Sequence, residues 1–203
     1  MDKILLIGAG GHARSCIDVL EEENQFEIAG LIEKGESISN NSLGYSVIGT
    51  DDDLKVLRKH YKNAIITVGQ IKSPKIRIKL YKLLKELDFT LPLIVSPHAY
   101  VSKHAQIGEG SIIMHGVIIN ANAKIGNNCI INNKSLIEHD AVIGDHCHIA
   151  TGAIINGEVS VGDKSFLGSG GVIKQAISIG KNCVIGAGVV LKNDIESNKV
   201  VKN

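Results

Sequence analysis

The side chains best placed to carry acid–base chemistry surround one histidine. His139 lies between two carboxylates, Glu138 and Asp140. An adjacent carboxylate raises the basicity of an imidazole and fixes its tautomer, and a general base that works near neutral pH needs both properties. Gly157, eighteen residues further on, carries no side chain that could crowd the ring, and its N–H could hold a polarised carbonyl oxygen. We therefore predict that His139 is a general base, with a solvated corner residue as the alternative.

A six-residue repeat predicts the scaffold that positions these groups. Counting by six from Val95 to Leu191 reaches seventeen positions, and every one is aliphatic. This period fits neither an amphipathic helix nor an alternating strand, but three such units make one eighteen-residue coil of a parallel β-helix. The aliphatic position and a mostly small position two before it would both point inward. Cys129, Cys147 and Cys183 occupy the small position and are predicted to be reduced packing residues.

The glycines and the outward-facing residues of this repeat predict turns and interfaces. Glycine recurs every eighteen residues from Gly108 to Gly180, and we expect tight turns there. The outward position before each aliphatic residue forms two apolar columns and one polar column. Apolar surface of that extent rarely stays in water, so we expect two faces to be buried in a homotrimer. His148 interrupts one apolar column, and we expect it in the subunit interface, bonded to a partner or a ligand.

The first third of the chain has the pattern of a βαβ unit. Lys3–Ile7 and Phe26–Ile32 read as strands, and between them lie a glycine-rich loop of the form G-x-G-x-x-A and a helix whose apolar stripe includes Cys16. The helix N-terminus would present N–H groups to a phosphate. Glu33 lies near the place of a ribose-binding acid, as in NAD-binding proteins. The space before Val95 holds only one mononucleotide half, so we predict a nucleotide diphosphate, with a dinucleotide and a structural turn as alternatives.

The remaining pattern predicts a two-domain chain. Helices near Asp51–His60 and Ser73–Leu87, with a strand at Ala64–Val68 between them, complete a Rossmann-like α/β domain at residues 1–94. An all-β domain, the parallel β-helix, is predicted at residues 95–203.

Composition and the other histidines exclude several functions. A net charge of +1 over 203 residues offers no footprint for nucleic acid or an anionic membrane. The apolar run at Ile4–Ile7 is too short for a signal or a span, so we expect a cytoplasmic protein. Some trimeric β-helix proteins are zinc carbonic anhydrases with two ligands five residues apart, a spacing that no histidine pair has here, so no metal is predicted. Four lone histidines are expected to be solvated or capping: His60, His98, His104 and His115.

These motifs together resemble the bacterial nucleotide-sugar acetyltransferases of the left-handed β-helix class. The group includes UDP-4-amino-sugar N-acetyltransferases and sialic acid O-acetyltransferases. The resemblance covers nearly the whole chain: the opening Gly8–His12, the hexad frame, and Ile137–Asp140 followed by His148. It implies left-handed coils and acetyl-CoA as co-substrate. It also implies N-acetylation of a nucleotide-linked 4-amino-sugar, with sugar O-acetylation and a non-catalytic nucleotide-sugar-binding protein as alternatives.

The resemblance also implies roles for single residues. His139 would be the base, and Asp140, with Glu138 beside it, the acid that raises its basicity. Gly10, Gly11 and His12 would bind the sugar nucleotide, with Glu33 nearby. The predicted cofactor set is Asn132, His148, Gly157, Gly168 and Ala187. The chain departs from the family's usual pattern at Lys34, where a second acid is common, and lacks the usual Gly-x-Pro-Ala-Lys ending.

Overall fold

An α/β unit and a three-sided β-helix follow one another along the chain. The computed structural model describes residues 1–34, 41–71 and 73–202. The α/β unit contains strands β1 (Asp2–Ile7), β2 (Phe26–Ile32), β3 (Asn41–Ser42), β4 (Tyr45–Gly49) and β5 (Asn63–Ile66), a 3-10 turn (Asp51–Asp53), and helices α1 (Gly11–Glu23), α2 (Leu54–Leu57) and α3 (Lys75–Glu86). This order confirms the predicted fold class.

The sheet of the α/β unit has the strand order β3-β4-β2-β1-β5. Strand β1 is central and pairs in parallel with β2 and β5. Its last four residues are fully buried because helices cover both faces, which explains the continuous apolar run in the sequence. The three predicted strands and the helix predicted at Ser73–Leu87 agree with the structure within two residues at each end. The hairpin of β3 and β4 has no clear sequence signal.

The β-helix consists of two-residue strands separated by turns. They are β6 (Ile94–Val95), β7 (Tyr100–Val101), β8 (Gln106–Ile107), β9 (Ile112–Ile113), β10 (Ile118–Ile119), β11 (Lys124–Ile125), β12 (Ile130–Ile131), β13 (Leu136–Ile137), β14 (Val142–Ile143), β15 (His148–Ile149), β16 (Ile154–Ile155), β17 (Ser160–Val161), β18 (Phe166–Leu167), β19 (Val172–Ile173), β20 (Ser178–Ile179), β21 (Val184–Ile185), β22 (Val190–Leu191) and β23 (Val200–Val201). They form three parallel sheets, called here face 1 (β6 to β23), face 2 (β7 to β22) and face 3 (β8 to β20). Each takes every third strand, except that β23 follows β21 at the end of face 1.

The pairing register confirms the predicted repeat. Ile113 pairs with Ile131, and Ile131 pairs with Ile149, so each coil has eighteen residues. The aliphatic column is buried from Ile113 to Leu191, and the small inward column is buried with it. Cys129, Cys147 and Cys183 are fully buried free thiols in that column. The last coil is shorter: Val184 pairs with Val200, and Ile179 pairs with Ile195. Asn203, the end of the predicted second domain, lies outside the described residues.

The glycine column owes its place to close packing between coils. Tight turns follow these glycines as expected, but the turns do not explain the choice of glycine, because none of Gly108, Gly126, Gly144, Gly162 and Gly180 has a positive φ. A Cβ at Gly126 would lie 2.7 Å from the backbone nitrogen of Asp145 in the next coil. Positive φ occurs two residues later, at every sixth residue from Gly110 to Gly188, with values between 52° and 68°. Each turn therefore places one residue in the left-handed region.

The first coils of face 1 are covered by the chain's own helix α1. Ile112 and Ile130 on this face are fully buried and share one hydrophobic cluster with Cys16 and Ile17 of α1. Two contacts flank the packing: His115 lies 2.9 Å from Asp18, and His98 lies 3.6 Å from Glu22. The expectation that both apolar columns face other subunits is therefore corrected. Face 2 keeps an exposed apolar column, with Tyr100 59%, Ile118 43% and Val190 56% exposed.

Candidate functional site

A cleft of about 580 Å³ lies where the α/β unit meets face 1. Its walls come from the glycine-rich loop before α1, from the loop after β5, and from one coil of the β-helix. The lining residues are Gly8, Gly10, Gly11, His12, Glu33, Thr67, Val68, Gly69, Gln70, Ile71, Asn132 and His148. The structure thus brings six predicted site residues from four separate segments into one cleft: Gly10, Gly11, His12, Glu33, Asn132 and His148.

The glycine-rich loop leaves the N-terminus of α1 open to the cleft. Gly10 is the N-cap residue, no side chain caps the helix, and its first turn contains no acidic residue. A Cβ at Gly10 or Gly11 would meet nothing within 4 Å. The helix N-terminus carries a partial positive charge, and its N–H groups lack partners within the helix. The geometry suits an anion such as a phosphate.

His12 and Glu33 flank this helix end in different ways. The Nε2 atom of His12 is buried and has no hydrogen-bond partner among the described residues. Burial lowers the pKa of His12 to about 3, with smaller contributions from the charges of Arg77 and His148, so the ring is neutral at neutral pH. The carboxylate of Glu33 accepts hydrogen bonds from the N–H of Ala9 at 2.8 Å and of Lys34 at 3.0 Å. Glu33 therefore also fixes the glycine-rich loop.

His148 joins the β-helix to the α/β unit. Its Nδ1–H donates to the carbonyl oxygen of Gln70, and its Nε2 lies 3.3 Å from the amide nitrogen of Asn132. Its ring also packs edge-on against Phe166. Burial lowers the pKa of His148 to about 4, so this histidine is neutral and its Nε2 accepts a hydrogen bond. The expected position in a subunit interface is corrected, because the chain's own loop after β5 covers this ring.

The predicted base lies at a different corner of the prism, between β13 on face 2 and β14 on face 3. His139 Nδ1 is 2.8 Å from a carboxylate oxygen of Asp140, whose other oxygen accepts a hydrogen bond from Asn122 at 2.6 Å. Asp140 has φ 61°, and this left-handed turn places its carboxylate beside the preceding ring. The hydrogen bond to Asp140 raises the pKa of His139. Glu138 accepts hydrogen bonds from Asn120 and from the His139 N–H.

Gly157 lies directly against the imidazole of His139. A Cβ at Gly157 would be 2.8 Å from both Cε1 and Nε2 of the ring. The backbone N–H of Gly157 makes no hydrogen bond to any residue in the described ranges. Because Nδ1–H donates its hydrogen bond to Asp140, the neutral ring presents a lone pair at Nε2 beside a bare backbone N–H. This pair of groups can accept a proton and stabilise a negative oxygen.

The predicted site residues fall into three places within one chain. The first is the cleft, and the second is the corner of Glu138, His139, Asp140 and Gly157, which contributes no residue to the cleft lining. The third is Gly168 with Ala187, where a Cβ on Gly168 would lie 2.5 Å from the Ala187 nitrogen. Gly168 follows face 1 two coils beyond Asn132, at the same corner of the prism. Face 2 separates this corner from that of His139.

Two residues near the cleft were missed by sequence reasoning. Gln70 donates from Nε2 to the carbonyl oxygen of His146, while its buried Oε1 has no partner among the described residues. Arg77 on α3 is 1% exposed and reaches under the cleft. A polar residue in a loop and an arginine in a charged helix read as solvated, and only tertiary contacts show that both are buried.

No described helix is long and apolar enough to cross a membrane. No group of three or more potential ligand side chains in residues 1–34, 41–71 and 73–202 is arranged to hold a metal ion.

Family models match the chain over both of its parts. The PglD N-terminal domain model matches residues 3–84. The bacterial transferase hexapeptide model (six repeats) matches residues 104–139 and 122–157, and the hexapeptide repeat of succinyl-transferase matches residues 158–193. A comparison with curated protein sequences found no match.

Solved structures match the chain over nearly its full length. A histidine-to-asparagine variant of perosamine N-acetyltransferase from Caulobacter crescentus, in complex with CoA and GDP-perosamine, is 30% identical with a TM-score of 0.92, over 100% of this chain and 94% of that one. The acetyltransferase domain of PglB from Neisseria gonorrhoeae, in complex with acetyl coenzyme A, is 27% identical with a TM-score of 0.90, over 98% and 94%. WeeI from Acinetobacter baumannii is 27% identical with a TM-score of 0.88, over 100% and 98%. With an α/β unit of the PglD type and a hexapeptide-repeat β-helix in one chain, the protein belongs to the bacterial sugar acetyltransferases of the left-handed β-helix class.

Proposed function

We propose that the protein transfers an acetyl group from acetyl-CoA to the amine of a nucleotide-linked 4-amino-sugar, with His139 as general base. The observation that carries this proposal is the His139–Asp140 pair, which leaves Nε2 beside the bare N–H of Gly157. The similar perosamine N-acetyltransferase was crystallised with CoA and GDP-perosamine, both as a histidine-to-asparagine and as a histidine-to-alanine variant. Those variants are consistent with a histidine of functional importance in a similar protein.

The cleft fits the nucleotide part of such a substrate. A diphosphate placed at the open end of α1 would meet the N–H groups of Gly11 and His12, and the unpartnered Nε2 of His12 lies in the same cleft. Glu33 is already bonded to two backbone N–H groups. We therefore assign to Glu33 the support of the loop in addition to any contact with the nucleoside.

The corner of His139 fits the acyl transfer itself. His139 Nε2 removes a proton from the sugar amine as the amine nitrogen bonds to the thioester carbonyl carbon. The carbonyl oxygen becomes negative and accepts a hydrogen bond from the Gly157 N–H. The carbon–sulfur bond then breaks, and the CoA thiolate takes the proton back from His139. No acyl-enzyme forms, because both reactants are held together in one site.

The cleft and the His139 corner can meet only if neighbouring chains combine. The exposed apolar column of face 2 runs beside the corner of His139, and burying it would favour association. In a closed homotrimer, one chain's cleft would face His139 of the partner subunit, with acetyl-CoA along the groove between two β-helices. Gly168 and Ala187 border face 2 and are assigned to that groove. We expect this reaction in the cytoplasm.

The proposal is tested by thiol release. The purified protein is mixed with acetyl-CoA and a panel of UDP- and GDP-linked amino-sugars, and free CoA is followed with a thiol reagent. The His139→Ala variant should lose a factor of about 10² or more in kcat. His104→Ala, at another exposed coil position, is the control and should keep full activity. Turnover of His139→Ala close to that of the parent protein would remove this residue from the mechanism.

A further inference from the structure

Arg77 is a buried cation without an anionic partner. It is 1% exposed, and no carboxylate among the described residues lies within ion-pair distance of its guanidinium. Its donors reach neutral oxygens instead: Nη1 bonds to the carbonyl oxygens of Ile66 and Val68, both at 2.8 Å. The Nε atom has no partner among the described residues. Burying an uncompensated charge is costly, so the position calls for an explanation.

The contacts of Arg77 tie the floor of the cleft to the β-helix. Val68 lines the cleft, and its carbonyl oxygen is held by Nη1. On the other side, Nη2 bonds to the side-chain oxygen of Asn128 at 2.6 Å. Asn128 in turn contacts the ring of His146, whose carbonyl oxygen accepts the Gln70 hydrogen bond. One guanidinium therefore links β5, α3 and the coil that precedes His148.

The charge of Arg77 reaches the cleft. Together with burial, it lowers the pKa of both His12 and His148, the two histidines of the cleft wall. Burial lowers the pKa of Arg77 itself only to about 10, so the guanidinium stays charged at neutral pH. Its field adds to that of the α1 N-terminus. Glu33 is the one acidic residue among the described lining residues, and its carboxylate is held at the loop N–H groups of Ala9 and Lys34.

We propose that Arg77 is a positioning residue that supplies the buried positive charge by which the cleft selects a diphosphate over an uncharged nucleoside. The inference rests on the proposed function and deepens it, because it assigns the charge selectivity of the nucleotide site to a residue outside the cleft lining. A bound diphosphate would provide the anion that Arg77 lacks in the protein alone.

The test neutralises the charge while keeping the hydrogen bond from Arg77, although the donor that contacts the His146 ring is lost. Asn128→Asp places a carboxylate on the atom that already accepts from Arg77 at 2.6 Å. Asn128 has φ 52°, and Asp tolerates this conformation as Asn does. The matched control is Asn182→Asp, at the equivalent turn position three coils further on, with φ 56° and no contact with Arg77. Binding of UDP and GDP is measured by calorimetry, and binding of uridine and guanosine by NMR titration.

The expected result is a change in selectivity. Asn128→Asp should weaken binding of the diphosphate by about tenfold, the order expected for one unit charge near a partly enclosed anion, and should leave nucleoside binding unchanged. Asn182→Asp should bind both as the parent protein does. Unchanged diphosphate affinity in Asn128→Asp, or an equal loss for diphosphate and nucleoside, would overturn the proposal.

A second variant keeps the test decisive if Asn128→Asp does not fold. Arg77→Lys retains the charge but loses the planar fork, so it should keep the ratio of diphosphate to nucleoside affinity. Loss of that ratio in the folded lysine variant would contradict the role of the charge. If the parent protein binds neither UDP nor GDP, the proposed function itself fails, and this inference is rejected with it.

Discussion

The contact between Gly157 and His139 allows a sharp test of the proposed mechanism. In Gly157→Ala the new Cβ would lie 2.8 Å from Cε1 and Nε2 of the ring, whereas ordinary contact begins at 3.4 Å. The ring must therefore retreat by at least 0.6 Å, the difference between these two distances. Gly157 does not have a positive φ, so alanine fits the backbone, and the N–H proposed to bind the oxyanion remains in place.

The expected magnitude follows from that displacement. Moving a positioned catalytic group by about 1 Å can cost about 10²-fold in rate, so we expect kcat to fall by about tenfold to 10²-fold. KM for the sugar nucleotide should change little, because the cleft residues do not contact Gly157. Thiol release gives kcat, and the NMR signal of the His139 ring reports whether it has moved.

The control for this variant is Gln175→Ala. Gln175 is exposed at the same corner, one coil beyond Gly157, and its replacement by alanine should change neither kcat nor the NMR signal of the His139 ring. If the ring signal moves in Gly157→Ala but kcat stays within about twofold of the parent value, the reasoning from ring position to catalysis is refuted.

Three further predictions concern charge, burial and assembly. Asp140→Asn removes the hydrogen bond that raises the pKa of His139, so the acid limb of kcat/KM, where His139 must lose its proton, should shift to lower pH; an unchanged midpoint in the pH–rate profile would contradict this role. His148 is buried neutral with its pKa lowered from 6.5 to about 4, so its contribution to stability is present above pH 6.5 and is lost as pH falls toward 4. Urea unfolding at pH 7 and pH 5 should show a loss of stability that is about 2 kcal/mol larger in the parent protein than in His148→Gln, because His12 contributes equally to both, and equal losses in both proteins would argue against a buried neutral ring. Ile118→Glu places a charge in the exposed apolar column of face 2 and should reduce the mass measured by light scattering from that of a trimer to that of a monomer, whereas a monomeric parent protein would reject the trimer.

The repeat made the β-helix predictable from the sequence. The inward columns that contain Ile131 and Cys129 carry side chains of different size, but each column repeats every six residues. This spacing is enough to predict which side chains enter the core. The pairing of His139 with Asp140 was predictable for the same reason, since adjacent residues at a turn remain neighbours in any register. Gly157 was placed beside His139 by the eighteen-residue coil.

Contacts between the two parts of the chain could not be predicted in this way. His148 was assigned to a subunit interface because an apolar column needs a cover, and the sequence does not say that the cover is α1 and the loop after β5. Arg77 was not recognised for a similar reason: its partners are backbone carbonyl groups and one side-chain amide oxygen, 9 to 51 residues away, and such neutral oxygens do not mark a buried arginine in a sequence. The glycine column from Gly108 to Gly180 illustrates a third limit. Both a close approach of two backbones and a positive φ favour glycine, so the sequence alone does not say which of the two a given glycine serves.

The regular turns of the β-helix make the order of a histidine and an acid matter. At His139–Asp140 the acid occupies the position with positive φ and folds back onto the ring. At Asp145–His146 the order is reversed, the histidine has φ 59°, and the acid bonds to the backbone of Asn127 in the preceding coil instead. A second such pair would therefore need histidine directly before aspartate, with the aspartate at the position of positive φ. Any coil whose corner faces the solvent offers such a place.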